Sequence, residues 1–206
     1  AETSAWDESQ RPYLREGLSY IQEPFVVRAA ADAAGRHPTD QIETEDGVRG
    51  PAWLRFVKAL QNVPTDDHHL RHVIRMALRD QFANGNTLKN VTSDLKTKYN
   101  KLVAQRDLVS ELALAINNAD AAAYLVAYLS LHQPPAELLL PMVQHAARFS
   151  STEDVKSLVA LVRKSFATDS ARQLELLAIL RRTAEQRGDK LDASLRDWAS
   201  ELAEKL

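Results

Sequence analysis

Two histidines stand at the spacing that a shared metal ion requires. His68 and His72 are four residues apart near the start of a predicted helix, so both imidazoles can face one side. Asp67 could supply a third ligand. No glutamate completes the His-Glu-x-x-His arrangement of zinc proteases, and histidines on a solvated helix face give the same pattern. We therefore rank His68 and His72 as weak metal candidates and predict no cofactor.

A row of basic side chains follows on the same predicted helix. Arg71, Arg75 and Arg79 recur at four-residue steps, which places them along one helix face opposite the apolar residues. Residues 67–106 contain eight basic and three acidic residues, whereas residues 1–50 contain five basic and ten acidic ones. The row predicts a surface that binds a protein partner or a neighbouring domain through charge. Solvation is one alternative, and pairing within the chain is another, with Asp66, Asp80 or the acidic segment 43–46.

The composition argues against several classes of function. Cysteine is absent from the 206 residues, which excludes disulfides, thiolate zinc sites and thiol nucleophiles. Neither a Gly-x-Ser-x-Gly elbow nor a Gly-rich phosphate loop is present. A formal net charge of -2 and 6% aromatic residues disfavour nucleic-acid binding. No apolar run approaches the roughly 20 residues of a membrane span. Because no catalytic motif is present, we predict a protein that is not an enzyme.

Apolar residues recur at spacings of three and four along almost the whole chain, which predicts an all-α protein. Trp53 and Trp198 fall in such apolar stripes and are expected in the core. The acidic segment 39–50 is expected to be an exposed loop. The second helix is expected to pack through Phe25, Val26, Ala29, Ala30, Ala33 and Ala34. The predicted helices cover about residues 10–22, 25–36, 51–63, 66–84, 107–116, 120–131, 136–149, 153–166, 171–187 and 193–206, with a weaker helix or insertion in 87–103.

Local signals mark several of these helix ends. Residues 150–152, followed by two acidic residues, and residues 168–170 are expected to cap the helices 153–166 and 171–187, and Gly188 follows the end of the second of these. Pro141 either kinks the helix 136–149 or marks its true start.

The predicted helices group into antiparallel pairs that begin near residues 10, 51, 105, 135 and 170. Pairs repeated at roughly 31–47 residues are typical of α-solenoids, because each pair must stack on the next to bury both of its faces. The spacing predicts one domain over residues 1–206 with about five helical hairpins and an insertion at about 84–104. A closed helical bundle is the competing architecture.

One predicted helix is similar to a known repeat. Residues 23–36, with the sequence EPFVVRAAADAAGR, resemble the second half of a HEAT repeat, in which a short turn precedes Val-Arg and a run of small residues. The arginine of such repeats forms a ladder with acidic groups of successive units. The resemblance therefore implies a structural role for Arg28.

Three further segments resemble the HEAT-like helical region of large secreted multidomain proteins of planctomycetes and related bacteria. They are DDHHLRHVIRMALRDQ at 66–81, DAAAYL at 120–125 and HAARF at 145–149. Such proteins can also carry sugar-dehydrogenase-like propellers, sugar-binding or hydrolase-like modules, or c-type haem modules. The Cys-x-x-Cys-His haem motif is absent from this chain. The resemblance implies an extracytoplasmic module of a longer protein.

These features together predict a non-catalytic helical-repeat scaffold that binds a protein or neighbouring domains of a longer chain. The alternative is an auxiliary domain of a larger carbohydrate-active or redox enzyme. Nucleic-acid binding and a metal site at His68 and His72 are minor options. The sequence leaves the identity of the partner and the oligomeric state open.

Overall fold

A computed structural model of the chain describes residues 24–36, 41–43, 49–84, 86–96, 105–188 and 193–204. Apart from two short strands, the described residues form ten helices joined by short connections, so the predicted all-α class is confirmed. The predicted helix 10–22 lies outside the described residues. The helices are α1 Pro24–Arg36, α2 Ala52–Asn62, α3 His68–Ala83, α4 Thr87–Leu95, α5 Arg106–Ala113, α6 Ala119–Leu131, α7 Ala136–Phe149, α8 Thr152–Ser165, α9 Ser170–Arg187 and α10 Ala193–Ala203.

The segment expected to be a loop carries regular structure at its ends. Strands β1 (Gln41–Glu43) and β2 (Arg49–Pro51) pair antiparallel, with Gln41 opposite Pro51 and Glu43 opposite Arg49. The expectation of an irregular loop over 39–50 is wrong at these positions, because the two backbone stretches hydrogen-bond to each other. Pro51 is the last residue of the second strand, and both strands of a two-stranded sheet are edge strands, which tolerate the missing N–H of proline.

The chain divides into two compact units, residues 1–88 and 89–206, and the boundary falls within α4. In the first unit, α3 packs against both α1 and α2. The contact between α1 and α3 is close at Gly35, where an added Cβ would lie 3.3 Å from the Cα of Ala77. A side chain at residue 35 would require the backbone at Ala77 to move by a few tenths of an ångström, so the absence of a side chain at Gly35 permits this close approach.

The buried face of α1 differs from the expected one. Its buried residues are Val27, Ala30, Ala31 and Ala34, whereas Phe25 is 76% and Val26 48% exposed. The expected stripe is therefore confirmed at Ala30 and Ala34 and wrong at Phe25, Val26 and Ala29, a displacement of about one residue around the helix. In an alanine-rich helix neighbouring stripes are almost equally apolar, and the fit against α3 decides between them.

The helices of the second unit contact one another in a regular order. Each of α6, α7 and α8 packs against the next helix and the next but one, and α9 packs against α10. In addition, α5 packs against α6. The main contacts of a helix in residues 105–204 are thus with helices one or two places away in the sequence.

Local capping explains why these helices begin and end where they do. The side chains of Asp67, Asn118, Ser151 and Asp169 each accept a hydrogen bond from the backbone N–H three residues later. Gly188 ends α9 with φ 72°, a left-handed conformation that glycine adopts without strain. Ser151 and Asp169 lie in the segments 150–152 and 168–170, which the sequence predicted to cap α8 and α9.

Two further expectations concern single helices. α7 runs from Ala136 to Phe149 through Pro141, so the alternative in which Pro141 begins the helix is wrong. Part of the weak segment 87–103 forms α4, and residues 97–104 lie outside the described residues. None of the helices in the described part of the chain is long and apolar enough to cross a lipid bilayer.

Candidate partner-binding site

Arg71, the first member of the predicted basic row, is bound within the protein. Its Nη1 donates hydrogen bonds to the carbonyl oxygens of Val63 at 3.1 Å and Leu60 at 3.4 Å. These carbonyls lie at the end of α2, where backbone acceptors lack a partner in the helix. A cation is also favoured there by the helix dipole. Arg71 therefore has a structural role, because it supplies hydrogen-bond donors to the C-terminal end of α2.

The other two arginines of the row are also engaged. Arg79 donates from Nε at 2.9 Å and from Nη2 at 2.6 Å to Oδ1 of Asp80, and both side chains are 33% exposed. Arg75 has an interaction partner within the protein as well. Binding of a protein partner by Arg71, Arg75 and Arg79 stays a prediction, and any partner must compete with these internal contacts.

The histidines at the start of α3 are on the surface. His68 and His72 are both exposed, and Asp67 uses Oδ1 to accept the N–H of Leu70 at 2.9 Å. Within the described residues, no group of three or more His, Cys, Asp or Glu is arranged to hold a metal ion. A metal ion at this site would therefore have only His68 and His72 as ligands among the described residues.

Two residues expected to be structural lie in the first unit. The ring of Trp53 is 4% exposed and its centroid lies 5.4 Å from that of Phe82, so it joins α2 to α3. The guanidinium carbon of Arg28 lies 5.5 Å from the centroid of the Phe25 ring, a cation–π contact within α1. A ladder from Arg28 to acidic groups of another repeat stays a prediction.

Trp198 is the centre of a buried polar connection in the second unit. The residue is 1% exposed, and its Nε1 donates to Oε1 of Gln173 at 2.8 Å. Gln173 in turn donates from Nε2 to the carbonyl oxygen of Phe166 at 2.6 Å. This chain of bonds links α10, α9 and the end of α8. The sequence placed Trp198 in the core, but nothing in its pattern indicated that Gln173 is buried.

Two tyrosines hold the start of α5 on α6. The hydroxyl of Tyr124 donates to the carbonyl oxygen of Arg106 at 3.0 Å, and that of Tyr128 donates to Oδ1 of Asp107 at 2.8 Å. Burial raises the pKa of both hydroxyls, and the charge of Asp107 acts in the same direction. Both groups are therefore protonated donors with a structural role. No sequence pattern distinguishes these two tyrosines, because they fall in an apolar helical stripe like any other core residue.

His145 joins α7 to the residues after α5. Its Nε2 lies 3.0 Å from the carbonyl oxygen of Ile116, so Nε2 carries the proton and donates. Burial lowers the pKa of His145, the bond to Ile116 opposes this in part, and the nearby Arg148 lowers the pKa further. The folded protein thus favours the neutral imidazole.

We expect the stability of the protein to fall as the pH drops below the ordinary histidine pKa of 6.5. In that range the unfolded chain takes up a proton that folded His145 resists, and the loss is complete below the folded pKa. Urea unfolding at a series of pH values measures it. His145→Gln keeps an N–H donor for Ile116 but does not titrate, so its stability should decline less steeply than that of the wild type. An equal slope in both proteins would contradict the assignment.

A groove between α9 and α10 is the strongest candidate for a docking surface. Its volume is about 480 Å³, and α9 lines it over about three turns. α9 already buries one stripe that includes Leu176 and Leu180, so the groove is lined by a second stripe of the same helix. The apolar residues of the groove are Leu174, Leu177, Ala178, Leu195 and Ala199.

Charged residues, most of them arginines, also line this groove. The charged lining residues are Arg181, Arg182, Arg196 and Glu185. Glu185 pairs with Arg181 at 2.9 Å, and no ion pair among the described residues engages Arg182 or Arg196. The lining of the groove is therefore mostly apolar, and its charged residues carry a net positive charge. No local sequence pattern marks this groove, because its lining comes from two helices whose packing is not encoded in the period of either one.

Comparisons with protein-family models, with curated proteins and with solved structures gave no match to this chain.

Proposed function

We propose that the protein is a non-catalytic HEAT-like helical-repeat scaffold that holds a protein partner or neighbouring domains in place. The observation that carries the proposal is the order of contacts in residues 105–204. There, α6, α7 and α8 pack on the following two helices, which is the arrangement expected when helical hairpins stack in sequence. The resemblance to HEAT-like repeats is consistent with that order.

The surface chemistry supports binding rather than internal packing alone. Leu174 and Ala178 remain exposed in the α9–α10 groove, although α9 packs against α7, α8 and α10. In the first unit, Arg75 and Arg79 remain partly exposed on α3. A mostly apolar groove with charged lining residues and a separate basic row are both features of surfaces that bind other proteins.

The row on α3 can be tested with a charge reversal that spares Arg71. We expect Arg75→Glu with Arg79→Glu to reduce capture of a protein partner at least about tenfold, because binding there depends on positive charge. The measurement is quantitative cross-linking mass spectrometry with the purified protein in an extract of its source organism. Arg71→Glu is unsuitable, because loss of the bonds to Leu60 and Val63 would also destabilise α2.

Lys58→Glu is the matched control, since Lys58 is an exposed cation on α2 outside the row. It should leave capture unchanged. If the double variant captures the partner as well as the control does, the row does not bind it. If the wild-type protein captures no partner and instead converts a small molecule, the scaffold proposal is wrong.

A further inference from the structure

We infer that the α9–α10 groove binds an acidic, amphipathic α-helix of a protein partner. The inference rests on the proposed scaffold function and names the partner class of one surface. The apolar face of the bound helix would contact Leu174, Leu177 and Ala178, and its carboxylates would meet Arg182 and Arg196. Three features of the described residues support this occupant.

The first feature is the order in which the helices pack. α9 lies against α7 and α8, and α10 lies against α8 and α9. A helix bound in the groove would contact α9 and α10, and so would repeat the packing that α8, α9 and α10 each make with the two helices before them. A helical occupant therefore continues an arrangement that this sequence already uses.

The second feature is the length and spacing of the lining. On α9 the groove residues run from Leu174 to Glu185 at steps of three and four, a distance of about 16 Å along the helix axis. Apolar anchors at this spacing match those of an amphipathic helix lying in a groove. Five of the nine lining residues are apolar, which disfavours a nucleic acid as the occupant.

The third feature is the charge. The groove has three arginines and one glutamate, whereas the chain has a formal net charge of -2. Arg182 and Arg196 have no ion pair among the described residues, so binding a carboxylate breaks no existing bridge there. A partner surface that complements the groove therefore carries negative charge.

The test uses designed, dye-labelled helical peptides of about 16 residues and the whole 206-residue chain. The acidic probe has leucines at helical spacing flanked by glutamates. A basic twin replaces each glutamate by lysine, and a scrambled acidic peptide keeps the composition but loses the leucine stripe. In fluorescence anisotropy, we expect the acidic probe to bind at least about tenfold more tightly than either control and to weaken as salt is added.

Two sets of variants locate the binding. Ala178→Glu places a charge among the apolar lining residues and should weaken the acidic probe at least about tenfold, while glutamate keeps the helix propensity of α9. Ala171→Glu is its control, since Ala171 is exposed on the same helix outside the lining. Arg182→Glu with Arg196→Glu should weaken the acidic probe and favour the basic twin. Lys156→Glu on α8 should change neither.

Equal binding of the acidic and basic probes, or full binding by Ala178→Glu, would overturn the inference. Sedimentation velocity identifies a different occupant: if Ala178→Glu converts a dimer of the wild type into a monomer, the groove holds a second copy of the chain. The two proposals fail separately. A partner captured through Arg75 and Arg79 with no binding of the acidic probe removes only the groove inference. Probe binding without any captured partner removes the scaffold function.

Discussion

Replacing Trp198 by alanine should destabilise the protein by about 3–5 kcal/mol, the largest effect expected of any single substitution considered for this chain. The ring is 1% exposed, so its loss leaves a large cavity against α8 and α9. It also leaves Oε1 of Gln173 without its donor in the core. Urea unfolding followed by circular dichroism measures the difference.

Trp198→Phe separates the two contributions. Phenylalanine retains much of the apolar ring but has no N–H for Gln173, so we expect a smaller loss of about 1–3 kcal/mol. Ser200→Ala, at an exposed position of the same helix, should have little effect. The buried role of Trp198 would be wrong if the alanine variant lost no more stability than the serine one.

Arg187→Met should cost about 2–3 kcal/mol of the free energy of unfolding, because it removes a charged donor from two backbone carbonyls. Nη1 of Arg187 donates to the carbonyl oxygens of Ala147 at 2.8 Å and Ser150 at 2.9 Å. Both acceptors lie at the end of α7, and methionine preserves the length of the apolar stem while leaving them unpaired.

Arg187→Lys provides an intermediate case, since it keeps the positive charge near the end of α7 but not the shape of the guanidinium group. Its loss of stability should lie between those of the wild type and Arg187→Met. Arg182→Met, on the exposed side of α9, should stay within about 0.5 kcal/mol of the wild type. Equal stabilities of Arg187→Met and Arg182→Met in urea would show that the bonds to Ala147 and Ser150 contribute nothing.

Arg187 and Arg71 make the same kind of contact, each within its own unit. Each reaches from a later helix to two carbonyls, three residues apart, at the end of an earlier one: Leu60 and Val63 in the first unit, Ala147 and Ser150 in the second. The last four carbonyl oxygens of a helix have no partner within the helix, and both pairs of acceptors belong to such a helix end. Two arginines that look like surface charges in the sequence thus serve to join helices.

Local signals account for the part of the fold that the sequence predicted. The start of α8 follows from Ser151 and its acidic first turn, and the end of α9 follows from Gly188. Such caps act within three or four residues of the backbone that they satisfy, so a single sequence contains all the information needed. The helical period is equally local, which is why the all-α class was predicted correctly.

The remaining features depend on contacts between distant residues. Gln81 is 2% exposed and donates from Nε2 to the carbonyl oxygen of Ala34, 47 residues away. No pattern around Gln81 indicates this bond, because its partner lies on another helix. The predicted buried face of α1 was wrong in part for the same reason, since the packing against α3 selects it. The partners of Arg71 and Gln173 likewise lie on other helices. Periodicity identifies a helix and its apolar side, but only the packed neighbours determine which polar groups are bonded within the protein.

The order of helix contacts in residues 105–204 has a consequence for how this segment is made in the cell. From α6 onward, each helix packs on one or both of the two helices directly before it, so every addition closes only a short loop and loses little chain entropy. A nascent chain emerging from the ribosome can therefore add one helix after another to the part already folded. Apolar surface such as that of α7 then waits only for the synthesis of the next two helices before it is covered.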